Sequence, residues 1–409
     1  MATKLMEPVG KPKAIPQPEP GLTPEILLER ARAMRPKLRA AQADCEAGGC
    51  VTPEIAAELI AGGFFRMVQP RIFGGYEFGI DDFYKVIIEI ARGCSETGWV
   101  TSLVGGHPVV LARYPAETQI EVFGQAGDFR CPGALTPLGT AVPVEGGYRV
   151  SNHWVSASGI DVGTHFMGLA RVEGEGGGLI QAIVDMKDCT IVDDWSVMGM
   201  RGTGSKRVDV QDVFVPSERV LHVSGMERGA EPLVTEVPLH DNAMYWGLIG
   251  PFLIGETAAV AVGAARGALD LFEEILRSKK SKAPPFREMC HDPVAQLQYG
   301  QALSLISTAE AALVRSGEEY MGYARQWKEE GIPFDDVKRM RLNQIAQRCV
   351  QMAWEAIDLL FRAAGTSASA KAGTPMGRFL RNVAVLRTHP VLQSEQGSVA
   401  AAMAAFQNG

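Results

Sequence analysis

The C-terminal part of the chain constrains the fold most. Between 240 and 405 it carries four long helical stretches in succession, 256–276, 295–323, 334–364 and 378–389. Four such stretches joined by short links predict a helical bundle. The first is rich in alanine and other small residues. The most apolar run, 248–265, is interrupted by glycines, Pro251 and Glu256, so it reads as a buried helix and not as a membrane span.

Two other textures precede the bundle. From 22 to 128 the chain is helical. Thr23-Pro24-Glu25 and Thr52-Pro53-Glu54 each place a capping hydroxyl, a first-turn proline and an early carboxylate at a helix start. The carboxylate faces the positive end of the helix dipole. Asp81 and Asp82 open another helix that runs to Ile90, and a loop over 69–75 lies between.

From 129 to 222 the chain is β-rich. Residues 141–156 read as two strands about Glu145-Gly146-Gly147, and 164–172 returns as 179–185 across a glycine cluster, a hairpin signal. In 207–215 the valines alternate at Val208 and Val210, then slip one place to Val213 and Val215. Helices, then strands, then a bundle is an α+β multidomain order; a doubly wound fold would alternate strands and helices. No GxGxxG stands between a strand and a helix, which argues against a Rossmann nicotinamide site. The expected division is a flexible tail over 1–21, an N-terminal helical domain over 22–128, a central β-barrel or sandwich domain over 129–239 and a four-helix bundle over 240–409.

Composition narrows the function. With 409 residues, 46% of them hydrophobic, more than one core is expected. A net charge of -7 argues against a general nucleic-acid binder. The seven cysteines are scattered with no CxxC pair, which predicts no metal site and fits reduced thiols in the cytoplasm. No signal-peptide run opens the sequence, and no membrane association is expected.

Several segments sharpen this outline. Cys94-Ser95-Glu96-Thr97-Gly98-Trp99 resembles the helix ahead of the active site in the acyl-CoA dehydrogenase superfamily. His153-Trp154-Val155-Ser156-Ala157-Ser158-Gly159 resembles that family's tryptophan-to-glycine strand along the flavin ring. Gly199-Met200-Arg201-Gly202-Thr203-Gly204-Ser205, followed by Val213-Phe214-Val215-Pro216, is the most specific match. The resemblance spans about 22–395. Within the superfamily it is to the two-component flavin-dependent monooxygenases, such as hydroxyphenylacetate and hydroxysteroid hydroxylases. The signature there is Gly98-Trp99 with His107 eight positions on, the serine turn of Ser156 and Ser158, and His389 after Arg378, Arg381 and Arg387. Where the dehydrogenases place a base glutamate, this chain reads Thr388-His389-Pro390.

The resemblance implies an oxygenase component. It would take reduced flavin, FMNH2 or FADH2, from a separate NAD(P)H-flavin reductase, with O2 as co-substrate. Through a C4a-hydroperoxyflavin it would hydroxylate a small aromatic, phenolic molecule. A homotetramer or homodimer is implied. The protein would supply a dry pocket, a hydrogen bond near the flavin N5 and a base for the phenol. Ser158 or Ser156 would give the hydrogen bond, Ser158 being preferred because it directly precedes the glycine. His107 and His389 are the base candidates; alternatively a histidinium would favour the flavin anion, which demands the opposite protonation state. Trp99, with His107, would wall the substrate pocket, and Trp154 would back the flavin strand. Arg201, Thr203 and Ser205 would hold the flavin, Gly365 and Thr366 would reach a neighbouring subunit's flavin, and Arg287, Gln296 and Arg378 would reach its phosphate or ribityl chain.

Three other readings stay open. An acyl-CoA dehydrogenase or oxidase would use Glu256 as base. An oxygenase on the same fold would act on nitrogen or sulfur. A flavin-bearing nucleic-acid-binding relative would use a basic stripe such as Lys338, Arg339, Arg341 and Arg348.

Overall fold

A computed structural model describes residues 19–124, 127–174, 176–224, 239–281 and 284–407; most of the tail expected over 1–21 lies outside them. Six helices come first: α1 (Pro24–Gly48), α2 (Pro53–Ala61), α3 (Ile80–Gly93), α4 (Ser95–Gly106), α5 (Pro108–Leu111) and α6 (Ala116–Phe123). Both Thr-Pro-Glu starts cap as their chemistry dictates. Thr23 accepts from the Ile26 N–H and Thr52 from the Ile55 N–H, each satisfying a donor that a first helical turn leaves open.

Among the described residues seven strands follow: β1 (Gly133–Val144), β2 (Gly147–Ala157), β3 (His165–Val172), β4 (Leu179–Asp185), β5 (Thr190–Val192), β6 (Lys206–Pro216) and β7 (Val220–Val223). They form one sheet in the order β5-β6-β2-β1-β3-β4-β7. Neighbours run antiparallel, except that β1 lies parallel to β3. The slip in the valine pattern is a bulge. Val213 pairs with Val150 and Val210 with Asn152, and Asp212, at φ 51°, is the extra residue.

Alternation along β3 separates two apolar clusters. Phe166 and Ala170 pack with Trp154, Val184 and Val208. Met167 and Leu169 pack with Leu111, Phe123 and Ile249. The Trp154 indole is fully buried, and its N–H donates to the Leu169 carbonyl at 3.0 Å. Gly168 and Gly139 make room for it: a Cβ at either would come within 2.5 or 2.7 Å of the ring.

The bundle comprises α7 (Ile249–Ser278), α8 (Pro293–Glu330), α9 (Asp336–Ala364) and α10 (Pro375–Leu386), with α11 (Ser394–Gln407) against α9. By length and composition α7 would suit a membrane span, yet it lies inside the protein core. The helices before and after the sheet share one apolar core, in which Leu27, Phe83 and Ile87 join Phe252, Val262, Ile306 and Ile357. The sheet therefore stands beside a single helical body, and α4 runs along the seam.

Candidate active site

At that seam α4 brings Trp99 to the end of β2. The indole N–H donates to Ser158 Oγ at 2.9 Å. Ser158 Oγ lies 2.7 Å from Ser205 Oγ, which lies 2.6 Å from Thr203 Oγ1. Thr203 donates its hydroxyl to the Met200 carbonyl at 2.7 Å. A carbonyl only accepts, so this last contact fixes the direction of the whole chain. With the Thr203 proton on Met200, Ser205 donates to Thr203, and Ser158 donates to Ser205. Ser158 Oγ accepts from Trp99 and keeps one lone pair open. All four side chains are buried.

The turn that presents Thr203 and Ser205 is held from the helical side. Met200 sits at φ 57°, and its N–H donates to Asn382 Oδ1 at 2.7 Å. Asn382 in turn donates to Ser95 Oγ at 2.9 Å. The Gly202 N–H donates to Glu96 Oε1 at 2.8 Å, while Glu96 Oε2 is buried without a partner. Burial raises the Glu96 carboxyl to about 7, against the pull of the Gly202 hydrogen bond.

His389 meets the Trp99 ring edge-on, centroid to centroid 5.8 Å. Its Nδ1 is buried without a hydrogen-bond partner, and burial lowers its pKa. His107 ends α4, and its Nδ1 lies 2.5 Å from the Cys131 carbonyl. Facing a carbonyl, Nδ1 carries the proton and Nε2 is left as an acceptor. Burial lowers this pKa too. Both imidazoles are thus uncharged near neutral pH, the state a base requires.

The structure gathers Trp99, Ser158, Thr203, Ser205 and His389, with His107 at the far end of α4. It does not bring the other residues singled out by sequence into that cluster. Trp154 is inside the β core, where its indole N–H is already bonded. Ser156 is exposed at φ 63°, and its carbonyl accepts from the Ser158 N–H. Arg201 is exposed, as are Gly365 and Thr366 on the link from α9 to α10. Arg378 is buried and donates to Glu46 at 2.6 Å and Gln42 at 3.4 Å. Arg287 and Gln296 are exposed near the start of α8. Sequence reasoning missed Glu96 and Asn382 as supports of the turn; the signal for Glu96 was its place inside the Cys94–Trp99 segment. In the basic run, Arg339 is paired with Asp336 and Arg341 with Glu319. Glu256, the dehydrogenase-type base candidate, is fully buried, and burial pushes its carboxyl well above the usual carboxylate range, which favours the protonated form.

Comparison with known proteins bears on the class of chemistry. The oxygenase subunit HsaA of a flavin-dependent monooxygenase from Rhodococcus jostii is 33% identical over 374 residues, covering 91% of this chain and 96% of that one. The chain belongs to the oxygenase components of the flavin-dependent monooxygenases. The FADH(2)-dependent resorcinol hydroxylase oxygenase component of a Rhizobium is 29% identical, over 73% of this chain and 74% of its own. The HsaA monooxygenase from Mycobacterium tuberculosis superposes with a TM-score of 0.84 at 26% identity, covering 94% of this chain and 98% of that one. Residues 256–394 match the family described as acyl-CoA dehydrogenase, C-terminal domain. The fold is therefore that of the acyl-CoA dehydrogenases, and the chemistry that of a monooxygenase taking reduced flavin and O2.

The residues present fit that cofactor. A reduced flavin carries an N–H at N5 and an oxidised flavin does not. The open lone pair on Ser158 suits such an N–H, because the Ser158 proton is committed to Ser205.

Proposed function

We propose that this oxygenase component hydroxylates a small phenolic substrate in the seam between α4, the end of β2 and His389, using reduced flavin delivered by a separate reductase. The observation that carries the reading is the one-way hydroxyl chain from Trp99 to Met200, which makes Ser158 an acceptor. When bound, reduced flavin supplies the electrons that activate O2. Ser158 holds the N5 proton in place and so suppresses release of peroxide. Thr203 and Ser205 keep Ser158 oriented, and the Gly199–Ser205 turn offers backbone groups to the flavin.

His389, uncharged and with an open Nδ1, takes the phenol proton and so raises electron density on the ring. His107 orients the same substrate from the other end of α4. Trp99 closes the pocket between them. Arg378 acts through Glu46, bracing α10 against α1, and not as a phosphate ligand. The chain works as a homo-oligomer in the cytoplasm. Val399, Met403 and Phe406, exposed at helical spacing on α11, give an apolar stripe for subunit contact, and size-exclusion chromatography with light scattering tests it.

A panel of phenols, incubated with this protein, an unrelated flavin reductase and NADH, tests the reading by mass spectrometry. Products carrying one added oxygen are expected for at least one phenol. Peroxide as the sole product from every phenol would remove the proposal.

A further inference from the structure

Glu256 lies fully buried on α7, and neither carboxyl oxygen has a hydrogen-bond partner. Native proteins keep few such groups, and each asks for an explanation. Its carboxyl presses on Gly106, the last residue of α4. A Cβ there would stand 2.1 Å from Oε2 and 3.1 Å from the Phe252 ring, so glycine is what admits the acid. Trp99, Leu103 and Gly106 are spaced i, i+4, i+7 and share one face of α4. One end of that face meets Ser158 and His389. The other end, roughly 10 Å along the helix axis, meets Glu256 at Gly106, the residue before His107 in sequence. Leu103, between them, is only partly buried.

The surroundings also fix what can sit there. Burial is the sole cause acting on the Glu256 carboxyl, and no cationic side chain acts on it. Burial likewise leaves His107 and His389 uncharged. A substrate carboxylate at this end would find no counter-charge, and its desolvation would go uncompensated. A protonated carboxyl, by contrast, is a strong donor to a carbonyl or ether oxygen.

We propose that Glu256 is a substrate-anchoring residue whose carboxyl hydrogen-bonds an acceptor oxygen of an uncharged aromatic substrate, at the end remote from Ser158. The inference rests on the proposed hydroxylase reading and adds the substrate class: a phenol extended by a ketone, lactone or ether, and not an aryl alkanoate. A substrate without that oxygen leaves the acid unpaired and binds less well.

Binding is measured anaerobically by calorimetry in the presence of reduced FMN or FAD, with three probes of one length: 4-(4-hydroxyphenyl)-2-butanone, 4-butylphenol and 4-(4-hydroxyphenyl)butanoate. Wild type, Glu256→Leu and Glu256→Gln are compared, with thermal melts to confirm folding. Glu256→Leu is expected to weaken the ketone by about tenfold, matching the loss of one hydrogen bond in a buried site. It leaves 4-butylphenol unchanged, and Glu256→Gln, which keeps a donor, retains most of the ketone affinity. The butanoate binds wild type worst. Equal losses for ketone and butylphenol, or none for the ketone, overturn the proposal. So does tight binding of the butanoate. The readout does not depend on turnover, so a wild type that releases only peroxide would count against the hydroxylase reading while the binding pattern still judged Glu256.

Discussion

The Trp99 indole N–H donates to Ser158 Oγ at 2.9 Å, and this contact ties α4 to the end of β2 at the point where the helical body meets the sheet. Because Thr203 ends the hydroxyl chain on the Met200 carbonyl, the same contact leaves Ser158 as an acceptor. Replacing Ser158 by Ala strands the buried indole N–H. A stability loss of about 1–3 kcal/mol is expected from an unsatisfied donor, read as a lower midpoint of chemical denaturation. In turnover, peroxide released per O2 consumed rises and hydroxylated product falls in step. Ser158→Ala with unchanged coupling would place the N5 contact elsewhere.

Ser205→Ala tests the direction of the chain separately. It leaves Ser158 in place but takes away the group that receives its proton. The freed Ser158 hydroxyl turns donor, and the preference for reduced over oxidised flavin shrinks. Equilibrium binding of both flavin forms under anaerobic conditions measures this.

The histidines give a pH signature. Burial lowers both pKa values below the ordinary 6.5. The base form is therefore complete at neutral pH, and the acid limb of phenol hydroxylation lies below pH 6.5. The unfolded chain binds these protons first, so stability is lost as pH falls below 6.5. His389→Ala is expected to lower phenol hydroxylation by roughly 10²–10⁴-fold, the usual worth of a general base, and to abolish that limb. A limb that survives in His389→Ala assigns it to His107.

Glu96 works in the opposite sense. Its carboxyl is raised from 4.5 to about 7, chiefly by burial. The folded state then binds a proton more tightly than the unfolded one, so stability falls as pH rises from 4.5 to 7, by on the order of 3 kcal/mol in total. Glu96→Gln keeps an acceptor for the Gly202 N–H and removes the titration. Its melting temperature relative to wild type is expected to be more favourable at pH 8 than at pH 5, and an unchanged difference would contradict the assignment.

Much of the fold was legible because its signals are local. The Thr-Pro-Glu starts, the hairpin glycines and the slip in the valine alternation each follow from a few neighbouring residues. The first half of β1 was not, since Gly133, Pro137 and Gly139 break its alternation, and Gly139 is there for the Trp154 ring. Among the site residues, Trp99, Ser158 and His389 stood in recognisable segments. The pairing of Arg378 did not follow from its segment, because its partner Glu46 lies 332 residues away on α1. The unpartnered state of Glu256 is a property of packing that no single segment states.

The long-range contact between Arg378 and Glu46 is open to a direct test. Arg378 and Arg381 both pair with it, and they outweigh burial in holding its carboxyl below the usual range. Glu46→Ala leaves the buried Arg378 guanidinium without its carboxylate partner and is expected to cost about 3 kcal/mol, seen in denaturant unfolding. Double replacement of Glu46 and Arg378 should recover part of the loss.

The central claim is that this acyl-CoA dehydrogenase fold performs oxygenation. Pre-reduced flavin is mixed with the protein, a phenolic ketone and isotopically labelled O2, with no reductase present, and the product is weighed. One labelled oxygen in the hydroxylated product is the result expected. No label in any product, together with bleaching of bound oxidised flavin by an acyl-CoA that Glu256→Gln abolishes, would contradict it.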